Sequence, residues 1–181
     1  MGVGVLEVPE PEAGDPLITV VGTAQGYHCG TMHIWVDADA CPAVIKDILF
    51  RAAERARVPV TLVSNMALRI PPSPFIETVR VPKGFDGADA RITELMQPGD
   101  LVITADIPLA AVVVRRGGQA LNPRGELYTE DNVQEHLAVR DLMQTLRGSG
   151  ENIGGPAAFN AGDRRAFANQ LDRLLTARGS A

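Results

Sequence analysis

The stretch WVDADACP, residues 35–42, places two carboxylates, Asp37 and Asp39, directly after an apolar run and before a Cys-Pro turn. A second apolar run, LVITAD, ends on a third, Asp106. Asp86 and Asp89 follow one another at i and i+3 in GFDGADARI, a spacing that puts both on one helix face. Several carboxylates brought within ~5 Å cannot all stay ionised cheaply, so one protonates or a cation joins them. Oxygen-only ligands without His or Cys favour a hard ion, Mg²⁺ or Mn²⁺. Such an ion commonly shares itself with phosphate oxygens, which points to metal-assisted hydrolysis of a phosphoester. Asp37, Asp39 and Asp106 are the candidate catalytic and metal-binding residues, with Asp86 and Asp89 as further metal candidates.

The elements that must position them alternate along the chain. HIWVD is a short buried-type strand, and PAVIKDILFRAAERAR an amphipathic helix with Pro42 in its first turn. PVTLVS and TVRVP read as strands, joined by a Pro-broken connection, and ADARITELM as a short helix. DLVITAD is a strongly apolar strand, followed by the helix PLAAVVVRRGG, which the Gly pair ends. QALN and ELYT form a hairpin around Pro123-Arg124-Gly125. EDNVQEHLAVRDLMQTLR is the longest helix, with Thr129 as N-cap. DRRAFANQLDRLLTAR closes the chain as a helix, with Phe167, Leu171, Leu174 and Leu175 inward. Strands separated by helices predict an α/β three-layer sandwich with a mainly parallel central sheet.

In such sheets ligands bind outside the carboxyl ends of the strands, where strand order reverses. If the strands ending at Asp37 and Asp106 are neighbours there, Asp37, Asp39 and Asp106 share one crevice. The competing reading makes each Asp a helix cap. Pro42 and Pro108 suit the first helical position, which makes Cys41 and Ile107 the expected N-caps and leaves Asp39 and Asp106 too early to cap. Asp100, in the turn before the LVITAD strand, lies at the wrong end and reads as solvated.

Bulk composition sets limits. The chain has 181 residues, 45% hydrophobic and 22% charged, with a net charge of −5. Residues 1–31 carry four acids and no Lys or Arg, and read as a flexible acidic extension ahead of a domain spanning 32–181. Met32 opens the first clear strand, which suggests an upstream start codon mis-assigned. Residues 32–181 carry 18 acids and 17 bases, so no overall basic excess advertises nucleic-acid binding. Local basic faces remain, at Arg51, Arg55 and Arg57, at Arg115-Arg116, and at Arg164-Arg165. Two cysteines exclude a disulfide framework or zinc cluster, and three histidines show no ligand spacing. No run approaches a membrane span, and Leu17–Ala24 lacks the basic flank of a signal peptide, so a cytoplasmic protein is expected.

MHIWVDADACP, KGFDGADARI, GDLVITADIPLA, ALNPRGELYTEDN and GGPAAFNAGDRRAF together resemble the bacterial YaiI/YqxD family, over residues 32 to about 178. That family is grouped with the PIN-like nucleases, so the resemblance implies a PIN-like domain and a Mg²⁺- or Mn²⁺-dependent nuclease, with RNA ahead of DNA as substrate. TADIPLA is similar to the PIN pattern of Thr, any residue, Asp, then Leu-Ala, which carries the metal-site role onto Asp106 and the first-strand role onto Asp37. A PIN-type Glu after the first strand has no clear match: Glu54 lies far along its helix, and Asp39 or Asp86 stands in for it. In GGPAAFNAGDRR, Gly154 and Gly155 would let backbone N–H groups approach a phosphate, with Arg164 or Arg165 as charge partner; the alternative is a tight loop into a capped helix. Two other functions stay open. VDAD resembles the Asp-x-Asp opening of haloacid-dehalogenase-type phosphatases and phosphotransferases, with Asp37 as nucleophile, although Ala40 stands where that family has Thr or Val. A non-catalytic metal- and nucleic-acid-binding module is the other.

Overall fold

A computed structural model describes residues 20–21, 32–82, 87–149 and 157–179. One seven-stranded sheet runs in the order β1-β4-β3-β2-β5-β6-β7. Its strands are β1 (Val20–Val21), β2 (Ile34–Asp37), β3 (Val60–Ser64), β4 (Ile76–Arg80), β5 (Leu101–Ile103), β6 (Gln119–Leu121) and β7 (Leu127–Tyr128). The five from β4 to β6 in that order are parallel, and the outer pair, β1 and β7, run antiparallel to their neighbours. Of residues 1–31, read as an extension, only Val20–Val21 is described, as the edge strand on β4. The QALN/ELYT hairpin forms as expected, with Ala120 opposite Tyr128.

Among the described residues five helices cover the sheet: α1 (Ala43–Ala56), α2 (Gly87–Leu95), α3 (Ile107–Arg115), α4 (Glu130–Gly148) and α5 (Ala161–Gly179). Side chains alternate faces along a strand, and that alternation divides the core in two. Ile34, Val36, Val60, Leu62, Leu101 and Ile103 pack with α1 and α5 through Ile45, Leu49, Phe167 and Leu171. Trp35, Val63, Val79 and Val102 pack on the other face with Ile92 of α2, Leu109 and Val113 of α3, and Val133 of α4. The expected three-layer α/β sandwich is therefore what forms, and strands covered on both faces explain their near-continuous apolar runs. Among the described residues no helix is long and apolar enough to cross a membrane.

Three local features differ from or sharpen the sequence reading. Helix α1 begins at Ala43 with Pro42 itself as N-cap and no side-chain cap, so Cys41 lies outside it. Asp100 is 6% exposed rather than solvated. Its Oδ1 accepts from the His33 backbone N–H at 3.0 Å, and its Oδ2 from Trp35 Nε1 at 3.0 Å and the Gln97 N–H at 2.8 Å. Those donors lie in the turn before β5 and at the start of β2, which hydrophobic periodicity cannot pair. Thr129 does cap α4, in a full capping box with Asn132.

The β6–β7 turn locks onto α5. Gly125 adopts φ +89°, and a Cβ there would lie 2.4 Å from the Ala166 backbone carbon, so both conformation and space demand glycine. Arg124, next to it, pairs with Asp163 at 2.7 Å, donates to the Ala157 carbonyl and lies over the Phe159 ring.

Candidate functional site

β2 is the centre of the parallel sheet. The chain runs from it through α1 to β3 and β4 on one side, while β5 and β6 lie on the other. The switch point therefore falls between β2 and β5, the two strands whose ends carry Asp37 and Asp106, which meets the condition set by the sequence reading. Register places Val36 beside Ile103 and Asp37 beside Val63, so Asp37 and Thr104 meet at the carboxyl edge.

Asp37 is 7% exposed. Its Oδ2 accepts from the Thr104 hydroxyl at 3.3 Å, a long bond, and its carboxylate also accepts from the Ala40 backbone N–H. Thr104 Oγ1 in turn accepts from the Asp106 N–H at 3.0 Å, so one threonine ties the two acids together. Burial pushes the Asp37 carboxyl above the usual carboxylate range; the Thr104 and Ala40 bonds oppose this, and the Asp39 and Asp106 charges add to it. Among the described residues no Lys, Arg or His forms an ion pair with Asp37. Cys41, buried behind the turn, has its thiol pushed up to about 12 by burial, which removes it as a thiolate nucleophile.

Asp106 corrects one sequence expectation. It is the N-cap of α3: its Oδ1 accepts from the Leu109 N–H at 2.8 Å. Pro108 occupies the second helical position, with Ile107 at the first, because any of the first-turn positions tolerates a missing N–H. Capping uses one carboxylate oxygen and does not by itself remove Asp106 from the site.

Asp39 is exposed, and both its oxygens are engaged across the sheet edge. Oδ1 accepts from the Ser64 hydroxyl at 2.5 Å and Oδ2 from the Asn65 N–H at 3.0 Å, which fastens the turn after β2 to the end of β3. A polar cleft of about 140 Å³ opens beside it, lined by Asp39, Asn65, Pro82 and the first turn of α2, where Asp89 sits. Asp86, Gly154 and Gly155 lie outside the described residues. Arg164 and Arg165 are exposed in the first turns of α5. That helix starts with a capping box: Asn160 Oδ1 accepts from the Gly162 and Asp163 N–H groups, and Asp163 Oδ2 from the Asn160 N–H. The structure thus favours the capped-helix reading of FNAGDRR for residues 159–165.

The edge as a whole collects Asp37, Asp39, Asp89 and Asp106, but among the described residues no three acid, His or Cys side chains stand at metal-ligand spacing. Mg²⁺ needs only one or two carboxylates when water and substrate phosphate complete its octahedron, and Asp37 and Asp106 are hard oxygen donors of the type such an ion takes. An all-protein cage is not what this edge offers. Thr104, Ser64 and Asn65 also shape this edge, and a reading of the acids alone does not reach them. Thr104 had a signal, the Thr two residues before Asp106 in TAD; Ser64 and Asn65 had none, since their role depends on β3 lying beside β2.

Residues 35–177 match the model of a family described as "Uncharacterized BCR, YaiI/YqxD family", and the chain belongs to that family. It is 65% identical to a UPF0178 protein of Janthinobacterium sp. (strain Marseille) over 80% of this chain and 95% of the relative. A UPF0178 protein of Bordetella avium (strain 197N) is also 65% identical, over 80% of this chain and 94% of its own length. One from Hahella chejuensis (strain KCTC 2396) is 61% identical, over 80% and 96%. No solved structure matches the chain.

Proposed function

We propose that the carboxyl edge of the sheet is the active site of a Mg²⁺- or Mn²⁺-dependent phosphodiester hydrolase, with RNA as the preferred substrate. The observation that carries this reading is Asp37: a buried carboxylate at the switch point, flanked by two more acids, with no cationic side chain among the described residues paired to it. Evolution rarely keeps such a charge buried and unpaired without a use for it. Asp37 and Asp106 are the residues that would hold the ion, with Asp89 in the first turn of α2 as a further oxygen donor.

When bound, the ion would activate water for attack on phosphorus and stabilise the leaving oxygen. The chain's own groups do the rest. Thr104 holds Asp37 and Asp106 in one arrangement through its hydroxyl. Asp39, fixed by Ser64 and Asn65, keeps the β2 turn in place and adds negative potential that draws in a cation. The N-termini of α1, α2 and α3 open onto the same edge, and their dipoles favour a phosphate there.

The Asp-x-Asp phosphotransferase alternative fits less well. It needs the second Asp as acid and base, yet both Asp39 oxygens already accept hydrogen bonds. The test is hydrolysis of single-stranded RNA and of bis(p-nitrophenyl) phosphate in Mn²⁺. Wild type is expected to turn over both, and Asp37→Asn to lose about 10²-fold or more in kcat, the scale seen when one preorganised electrostatic group is removed. Equal activity in the two proteins sinks the reading; no activity in either leaves the non-catalytic binding module as the better one.

A further inference from the structure

Two basic clusters more than a hundred residues apart in sequence meet on one surface. Helices α1 and α5 pack side by side on the same sheet face, and a groove of about 270 Å³ runs between them. Arg51 and Arg55 of α1 form one wall, and Ile48, Ala52, Ala168 and Leu171 form an apolar floor. Among the described residues Asp172 of α5 is the single acid lining it, paired with Arg55. Arg164 and Arg165 stand four and three residues before Ala168, so they lie one turn up the same flank of α5.

The groove also has a direction. α1 starts at the carboxyl edge, a few residues after Asp37 and Asp39, and runs away from it. At 1.5 Å per residue Arg51 lies about 12 Å and Arg55 about 18 Å down the helix from Ala43. α5 runs the same way: its first turns sit by the β6–β7 turn at the carboxyl edge, where Gly125 meets Ala166, while Asp172 reaches Arg55 near the end of α1. A line of arginines therefore leads from the acids along the molecule: Arg164 and Arg165, then Arg51, then Arg55.

We infer that the α1–α5 groove is a binding track for the phosphate backbone of single-stranded nucleic acid, leading the strand to or from the acid site. The inference rests on the reading that this site takes a phosphodiester, and it makes that diester part of a polymer rather than a small ester. Arg51 and Arg55, about 6 Å apart along the helix, stand one above the other as successive phosphates of an extended strand require. Both side chains of the Arg55–Asp172 pair are more than half exposed, at 64% and 53%, so the pair is weak and a phosphate can displace the carboxylate. Among the described residues no aromatic ring lines the groove, so the track reads charge and not sequence. A chain with net charge −5 that nonetheless clusters arginines here has a local use for them.

The test is fluorescence anisotropy with a labelled 20-nucleotide oligouridylate, without divalent cation so that nothing is cleaved. The double variant Arg51→Ala/Arg55→Ala is expected to bind about tenfold more weakly and to lose about 1.4 from the slope of log K against log salt. Asp172→Ala is expected to act in the opposite sense, tightening binding two- to threefold. Hydrolysis of bis(p-nitrophenyl) phosphate, too small to need the groove, should be the same in all three. A double variant that binds like wild type, a wild type that does not bind, or weaker binding in Asp172→Ala overturns the track. Arginine-dependent binding without any diester hydrolysis supports the track while removing the hydrolase reading.

Discussion

Asp100→Ala is expected to lower stability by about 3–5 kcal/mol, because three donors in and beside the core lose their acceptor at once. The His33 N–H, the Trp35 indole N–H and the Gln97 N–H all converge on this carboxylate. Two of them belong to residues 65 or more positions away, so the side chain joins the turn before β5 to the start of β2. Water cannot replace it well, since His33 and Trp35 are themselves buried and stacked, with ring centroids 4.3 Å apart. For a domain of this size that loss corresponds to a fall in Tm of roughly 10–15 °C. Trp35 is the only tryptophan, so its fluorescence reports the same site directly. A variant within about 1 kcal/mol of wild type, with unchanged Trp35 emission, would mean the carboxylate is not holding these elements together.

Asp37→Asn is expected to do the opposite to stability while lowering the proposed activity by about 10²-fold or more. Burial raises the Asp37 pKa in the folded protein, and Asp39 and Asp106 raise it further. The folded state therefore binds this proton more tightly than the unfolded state, whose value is about 3.9. The stabilisation from that proton is complete below pH ~3.9 and is lost as pH rises through the higher folded value. At neutral pH the protein bears the cost of an ionised, buried carboxylate. Asparagine cannot ionise; its amide oxygen keeps an acceptor role, and the Thr104 hydroxyl oxygen can accept from its amide N–H where the second carboxylate oxygen is lost. The variant should thus be more stable than wild type by about 1 kcal/mol at pH 7–8, a rise of roughly 2–4 °C, in buffer containing chelator. The gap should close on acidification below the folded pKa. A variant that is less stable at pH 8, or a gap that ignores pH, would show that Asp37 is a structural acid and not one kept at a cost to stability.

Much of this was legible in the sequence, and the reasons are physical. Apolar runs bounded by helical periodicity gave β2, β3 and β5 and their helices, because strands buried on both faces must be apolar throughout. The rule for open parallel sheets put a ligand site at the strand-order reversal but left open which strands meet there; the strand order makes β2 and β5 neighbours and so brings Asp37 to Asp106. What failed was decided by one position or by tertiary contact. Pro108 fits the first or the second helical position equally well, so the cap shifted from Ile107 to Asp106. Asp100 looked like a turn acid because its partners, His33 and Trp35, are remote in sequence. The same remoteness concealed the second job of Asp39, which only the β2–β3 register discloses. The arginine clusters could be counted but not placed, since nothing local says that α1 and α5 share a face.

The most direct measurement is a thermal-shift titration of wild type, Asp37→Asn and Asp106→Asn with Mg²⁺ and Mn²⁺. Asparagine is a good N-cap, so Asp106→Asn removes charge while leaving the start of α3 intact. An ion at ~100 times its Kd stabilises by about 2.7 kcal/mol, or roughly 5–10 °C here. The expected result is a saturable rise in wild type that both variants lose, so that Asp37→Asn begins as the more stable protein and ends as the less stable one. A wild type that does not respond to either ion, or variants that rise with it, would contradict the assignment of these two acids to a cation.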